Sequence, residues 1–333
     1  MKRVVPLLVL AVLAVLAGCG EKEDVLEPSG SKQMTLMLDY FPNADHAGVY
    51  AAQAGGHFKQ AGLKVTIRQP PDPAAPIKQV AAGRVDLAIS YEPEVLRARD
   101  QGLNVVSVGA IVQKPLTSII SLPEAKIRKP ADLKGKTVGT AGIDYQSAYL
   151  QTILDDANVP RDAVKERNVG FSLTPALLTG KVDAVLGAFW NYEGTELKLK
   201  GKRPRIIRME QAGVPAYNEL VLVANADALE RDGDKIRAFI GALSRGVRDL
   251  RANPDEAING LLDANPDLDP ELQRAVVKVT LPLFAAPEGK PFGWQDPEEW
   301  DAFGAWMQEK NLLKEPPDVR ASFDNSLLPG SGL

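Results

Sequence analysis

Tyr40, Tyr91, Trp190 and Tyr192 fall at the ends of short apolar runs or in the loops just beyond, with Asp39, Asn43, Asn191 and Glu193 beside them. Aromatic plates stack on the faces of a flat ligand, and carboxylates or amides meet the donors and acceptors on its edge. This is the chemistry of holding a ring. Little else in the chain suits bond-breaking or metal chemistry. The chain has 333 residues, one cysteine (Cys19) and two histidines, His46 and His57. A His-rich metal centre is therefore excluded, and no loop carries the dense Asp/Asn/Gly spacing of a calcium-binding helix–loop–helix. Net charge is −4, with acids and bases mixed along the chain and no basic tract for nucleic acid.

Cys19 follows a basic start, Lys2-Arg3, and an apolar stretch from Val4 to Ala17. The stretch is too short for an ordinary membrane span and reads as a secretory signal. Leu16-Ala17-Gly18-Cys19 resembles the lipobox of bacterial lipoproteins, which implies cleavage before Cys19 and lipidation of that residue. Residues 1–18 are then a signal peptide and 19–33 a polar, flexible tether. A lipidated Cys19 leaves no thiol for a disulfide, a metal or nucleophilic catalysis. About 300 residues remain, enough for two lobes with separate cores.

Strands and helices alternate through the first part of the globule. Runs at 34–38, 64–69, 86–90 and 105–112 read as strands, and 50–60, 75–82 and 93–101 as helices. Near-continuous apolar strands between helices predict a largely parallel α/β sheet. The pattern restarts after Pro130 with strands near 136–139, 166–169 and 183–189. Helices are expected at 146–157 and 174–179. The apolar runs 118–122 and 220–224 bracket this second unit and are candidates for two crossings between lobes. Beyond Ala224 the chain reads as helical, at 227–252, 255–263, 270–281 and 297–310. The order is similar to that of a bilobal type II periplasmic-binding-protein fold, with lobe 1 from 34–119 and 223–333 and lobe 2 from 120–222. Ligand groups should lie at carboxyl ends of strands and amino ends of the following helices.

Four segments sharpen the resemblance: 38–50 (LDYFPNADHAGVY), 90–94 (SYEPE), 187–193 (GAFWNYE) and 214–220 (VPAYNEL). They resemble the ThiY/THI5-like family of binding proteins and fungal enzymes that make the thiamin pyrimidine. The similarity runs from about Met34 to Asn225. The family usually has Trp where this chain has Tyr40, and often Thr or Asn where it has Ala44 and Asp45. The resemblance implies an aminopyrimidine ligand, with riboflavin-like rings or a small sulfonate as alternatives.

Ligand-binding candidates are Asp39, Tyr40, Asn43, His46, Tyr91, Asp144, Tyr145, Trp190, Asn191, Tyr192 and Glu193. Each has a structural use as well. Tyr40 is favoured over Phe41 for the cleft, since neighbouring strand side chains point in opposed directions. His46 can serve a loop, Trp190 and Tyr192 can fill the core, and Glu193 suits the first turn of a helix. Asp144 is expected as the N-cap of the helix after Ile143, where it would repel an anion. With Asp39, Glu92, Glu193 and Glu219 it would make the mouth acidic, favouring a neutral or cationic nitrogen heterocycle. The resulting expectation is an extracytoplasmic, lipid-anchored, monomeric solute-binding protein without cofactor, serving ABC permease and ATPase subunits. A synthase-like enzyme is disfavoured because the fungal cysteine-rich motif is missing; a receptor-linked sensor stays open.

Overall fold

The computed structural model describes residues 32–330. The signal sequence, Cys19 and most of the tether lie outside the described residues. The tether's last two positions, Lys32 and Gln33, belong to the first strand instead, paired with Leu63 and Lys64.

Two five-stranded sheets organise the described chain. The first receives β1 (Lys32–Met37), β2 (Leu63–Arg68), β3 (Leu87–Ser90) and β4 (Val105–Val112). The second holds β5 (Thr117–Ser121), β6 (Thr137–Thr140), β7 (Lys165–Asn168), β8 (Ala184–Phe189) and β9 (Arg205–Arg208). The chain then returns to the first sheet as β10 (Leu220–Asn225). Strand orders are β2-β1-β3-β10-β4 and β7-β6-β8-β5-β9. The sheets are mixed, which corrects the largely parallel expectation. β1 and β6 pair in parallel with both neighbours, whereas β10 and β5 run antiparallel to theirs. β5 and β10 each enter a sheet directly after crossing from the other, so they arrive from the opposite direction.

The apolar runs expected as crossings are these two strands. Both are interior strands, buried almost throughout, and that explains their composition. The true crossings are the short links 113–116 and 209–219. One carboxylate joins them, and a second ties the later link to the first lobe. Glu219 accepts from the backbone N–H groups of Leu116 and Thr117, from the Thr117 hydroxyl and from the Tyr217 hydroxyl. Glu92 accepts from both the backbone and the side-chain nitrogen of Asn218. Neither lies at a cleft mouth: both are fully buried in the hinge.

In the first lobe the sheet is covered by α1 (Ala47–Ala54), α2 (His57–Gln60), α3 (Pro76–Ala81) and α4 (Glu92–Asp100). The second lobe carries α5 (Asp144–Asp156), α6 (Leu173–Leu178) and α7 (Glu193–Leu199). The return is helical: α8 (Ala226–Ala252), α9 (Pro254–Ala257), α10 (Asn259–Ala264), α11 (Pro270–Thr280) and α12 (Pro297–Glu309). Asn225, Asp269 and Asp296 cap α8, α11 and α12 through their side chains, the last two ahead of a first-turn proline. α8 meets α1 at Gly246, where an added Cβ would stand 2.4 Å from the Ala52 nitrogen. That close approach seats α1, and with it the loop 39–46, against the long helix.

Candidate functional site

The loops after β1, β3, β6 and β8 converge between the sheets, at the carboxyl ends of the strands. They line a narrow cleft that is partly open to solvent. The first lobe contributes Asp39, Tyr40, Asn43, Asp45 and Tyr91; the second contributes Ile143, Gln146, Phe189, Tyr192 and Glu193, among others.

On the first wall, Asp39 is held at both oxygens. Its Oδ2 accepts from the Tyr91 hydroxyl at 2.7 Å, and its Oδ1 lies 2.8 Å from His46 Nε2. His46 Nδ1 accepts the Asn43 backbone N–H at 3.2 Å, so Nε2 carries the hydrogen and donates to Asp39. Asn43 in turn caps the short turn 44–46, its Oδ1 accepting the Asp45 N–H at 2.8 Å. His46 is therefore placed behind Asp39, as a positioning group, and is not part of the cleft wall. Tyr40 lines the cleft and Phe41 does not. The Tyr40 hydroxyl has no hydrogen-bond partner, and burial, followed by the Glu193 charge, holds its pKa above the ordinary tyrosine range.

Glu193 opens α7 on the opposite wall. Its Oε2 accepts the Phe189 N–H at 2.7 Å. Burial pushes its pKa up to about 8, against the opposing pull of the Phe189 and Glu193 N–H groups. Beside it, Gln146 accepts the Ala141 N–H at 2.8 Å, and its amide nitrogen lies against Gly187. Gly187 has φ +96°, and a Cβ there would stand 2.2 Å from Gln146 Nε2. The positive φ favours glycine at that position, and a side chain there would also push the Gln146 amide aside. The two cleft tyrosines are backed by phenylalanines outside the cleft lining: Phe171 of the second lobe meets Tyr40 at 4.8 Å, and Phe41 meets Tyr192 at 5.9 Å.

Asp45 and Asn191 link the lobes. Asn191 Nδ2 donates to Asp45 Oδ1 at 2.6 Å and to Thr280 Oγ1 at 2.7 Å. Burial raises the Asp45 pKa to about 7, while His46 and Asn191 pull it down. Asn191 itself lies behind the wall.

Besides those for His46 and Asn191, three sequence expectations change. Asp144 is not the N-cap, which is Ile143; it pairs with Arg97 of α4 at 2.6 Å and is largely exposed, outside the cleft. Its side chain turns outward because the opposing lobe offers a cation there. Tyr145 is a fully buried ring packed between Tyr91 (5.4 Å) and Tyr149 (5.1 Å), one layer beneath the cleft. Trp190 sits at the crossing, with Nε1 donating to the Pro115 carbonyl at 3.0 Å and the Arg208 guanidinium 4.1 Å over its ring. With a cation on that face and the ring outside the cleft lining, Trp190 belongs to the inter-lobe link. Asp45, Gln146, Gly187 and Phe189 line the cleft but were not singled out as cleft residues by the sequence. Gly187 alone carried a signal, being a glycine inside an apolar strand, where a close backbone approach is the usual reason.

Among the described residues no group of three or more His, Cys, Asp or Glu side chains is placed to hold a metal ion. No helix of the described residues is long and apolar enough to cross a membrane.

The two-lobed architecture is that of periplasmic solute-binding proteins. The alkanesulfonate-binding protein SsuA from Xanthomonas axonopodis superposes with a TM-score of 0.69 at 18% identity, over 88% of this chain and 98% of that one. The profile described as "NMT1/THI5 like" matches residues 43–257, and the chain belongs to that family. The formylaminopyrimidine-binding protein of Halalkalibacterium halodurans is 36% identical over 96% of this chain and 97% of its own length. A more distant relative, the 4-amino-5-hydroxymethyl-2-methylpyrimidine phosphate synthase of Legionella pneumophila, is 24% identical over 89% of this chain and 92% of its own.

Proposed function

We propose that this protein is the solute-binding subunit of an importer and captures an aminopyrimidine thiamin precursor of the formylaminopyrimidine type. The observation that carries this reading is the buried Glu193 carboxylate facing a cleft walled by Tyr40 and Tyr192. Tyr40 and Tyr192 stack on the ring, and Glu193 accepts from its amino group and pairs with a ring nitrogen. Asp39, fixed by Tyr91 and His46, bounds the other edge. Closure of the lobes about the links 113–116 and 209–219 buries the ligand and completes a surface for the ABC permease and its ATPase. Cys19 carries the lipid that tethers the protein, as a monomer, outside the cytoplasm. A binding role is favoured over synthesis because the formylaminopyrimidine-binding relative is the nearer in sequence and the lone thiol, Cys19, is assigned to lipid.

Native mass spectrometry of the purified protein tests the reading. An adduct with the mass of an aminopyrimidine supports it. Retention of a flavin or a sulfonate would overturn it.

A further inference from the structure

Half of the Asp45 carboxylate is satisfied and half is not. Oδ1 accepts from Asn191, whereas Oδ2 is buried without a hydrogen-bond partner. Asp45 is 3% exposed and belongs to the cleft wall. The donors around it are committed elsewhere. The second hydrogen of Asn191 Nδ2 goes to Thr280, the Thr280 hydroxyl donates to the Val276 carbonyl while standing near enough to Asp45 to pull its pKa down, and His46 Nε2–H goes to Asp39. A buried acceptor without a donor is costly, and here the cost falls on a residue bordering the ligand space. Asp39, Asp45 and Glu193 share that cleft, and no Lys, Arg or His is among its described lining residues.

We propose that Asp45 Oδ2 is a second ligand acceptor, on the wall opposite Glu193, so that the cleft selects a ring bearing two separate donors. Glu193 takes the ring amino group, and Asp45 takes an N–H or O–H on a neighbouring substituent. The inference rests on reading the cleft as an aminopyrimidine site, and it narrows the ligand to rings whose substituent is itself a donor, such as a formylaminomethyl group. Asn191, from the second lobe, fixes Oδ1 and so leaves Oδ2 as the free oxygen when the lobes are closed. Burial already lifts the Asp45 pKa to about 7, and a ligand donor at Oδ2 would favour the ionised form.

The test is calorimetry on the full chain with two probes: a 4-aminopyrimidine carrying a 5-formylaminomethyl group, and the same ring with hydrogen at that position. Asp45→Asn keeps an acceptor for Asn191 but turns an N–H toward the ligand donor. The variant should lose about tenfold or more in affinity for the first probe, corresponding to about 1.4 kcal/mol, and less than about threefold for the second. Equal losses, or none, with wild type binding normally would overturn the Asp45 assignment alone. Failure of wild type to bind either probe would overturn the functional reading and the assignment with it. An independent readout needs no variant: the first probe, labelled with ¹⁵N in its formylamino group, should show a downfield-shifted N–H proton when bound to wild type. An unshifted proton would overturn the assignment.

Discussion

The Glu219 carboxylate receives both the backbone N–H of Thr117, at 2.7 Å, and its hydroxyl, at 2.8 Å. Glu219 ends one inter-lobe link and Thr117 begins the strand after the other, so one side chain fastens the two links together. Glu219→Gln would set an N–H₂ against some of these donors. A loss of about 2–4 kcal/mol in unfolding free energy is expected, from one or two hydrogen bonds to a charged group and the donors left unpaired. Urea denaturation of wild type and variant measures it, and unchanged midpoints would contradict the assigned role.

Acidity should stabilise the fold over an unusual range. Burial pushes Glu92, Glu94 and Glu193 up to about 8, and Asp45 and Glu219 to about 7. In the unfolded chain these groups ionise near pH 4. Between those values the folded state binds more protons, so unfolding free energy falls as pH rises. The stability is fully present below the unfolded pKa and lost through about pH 7–8. Melting temperatures measured without ligand should therefore decline from pH 5 to pH 8. A rise over that range would refute the burial of ionisable carboxyls.

Gly187→Ala should displace the Gln146 amide, since its Cβ would overlap Nε2, and the positive φ adds strain. Binding of an aminopyrimidine should weaken at least about tenfold, equivalent to about 1.4 kcal/mol, and calorimetry would show it. Asp144→Asn is the contrasting change. It removes an exposed inter-lobe ion pair worth at most about 1 kcal/mol, so affinity should stay within about fivefold of wild type. A larger loss would return Asp144 to the binding site.

Cys19→Ser should release the protein from membranes into the soluble extracytoplasmic fraction while its melting temperature stays the same. Fractionation and thermal unfolding check both parts, and normal membrane retention would remove the lipid anchor from the account.

What the sequence revealed depended on whether residues act near one another along the chain. Asp39, Tyr40 and Asn43, and likewise Tyr192 and Glu193, sit in short contiguous segments at strand ends, so their position and the family resemblance of those segments both pointed to them. The Asn191–Asp45 contact spans 146 residues and exists only when the lobes meet. Gln146 follows a helix start, and nothing local distinguishes it from a surface residue. Trp190 and Tyr145 misled because a large aromatic near a strand end fits a plate and a core equally well. β9 was not anticipated: its sequence, Arg205-Ile206-Ile207-Arg208, is a short edge strand with too little apolar character to stand out. The mixed sheets were hidden because apolar composition marks a buried strand without giving its direction.

The central claim is that Glu193 holds an aminopyrimidine between aromatic plates. It is tested most directly by titrating the full chain, wild type and Glu193→Gln, with the formylaminopyrimidine and with an alkanesulfonate. Wild type should bind the pyrimidine one to one with a dissociation constant of about 1 μM or tighter, or about −8 kcal/mol. At pH 9, above the Glu193 pKa of about 8, Glu193→Gln should weaken that binding roughly ten- to a hundredfold, the usual range for a lost charged hydrogen bond, and the sulfonate should give no heat with either protein. Tight sulfonate binding, or pyrimidine binding indifferent to Glu193→Gln, would contradict the account.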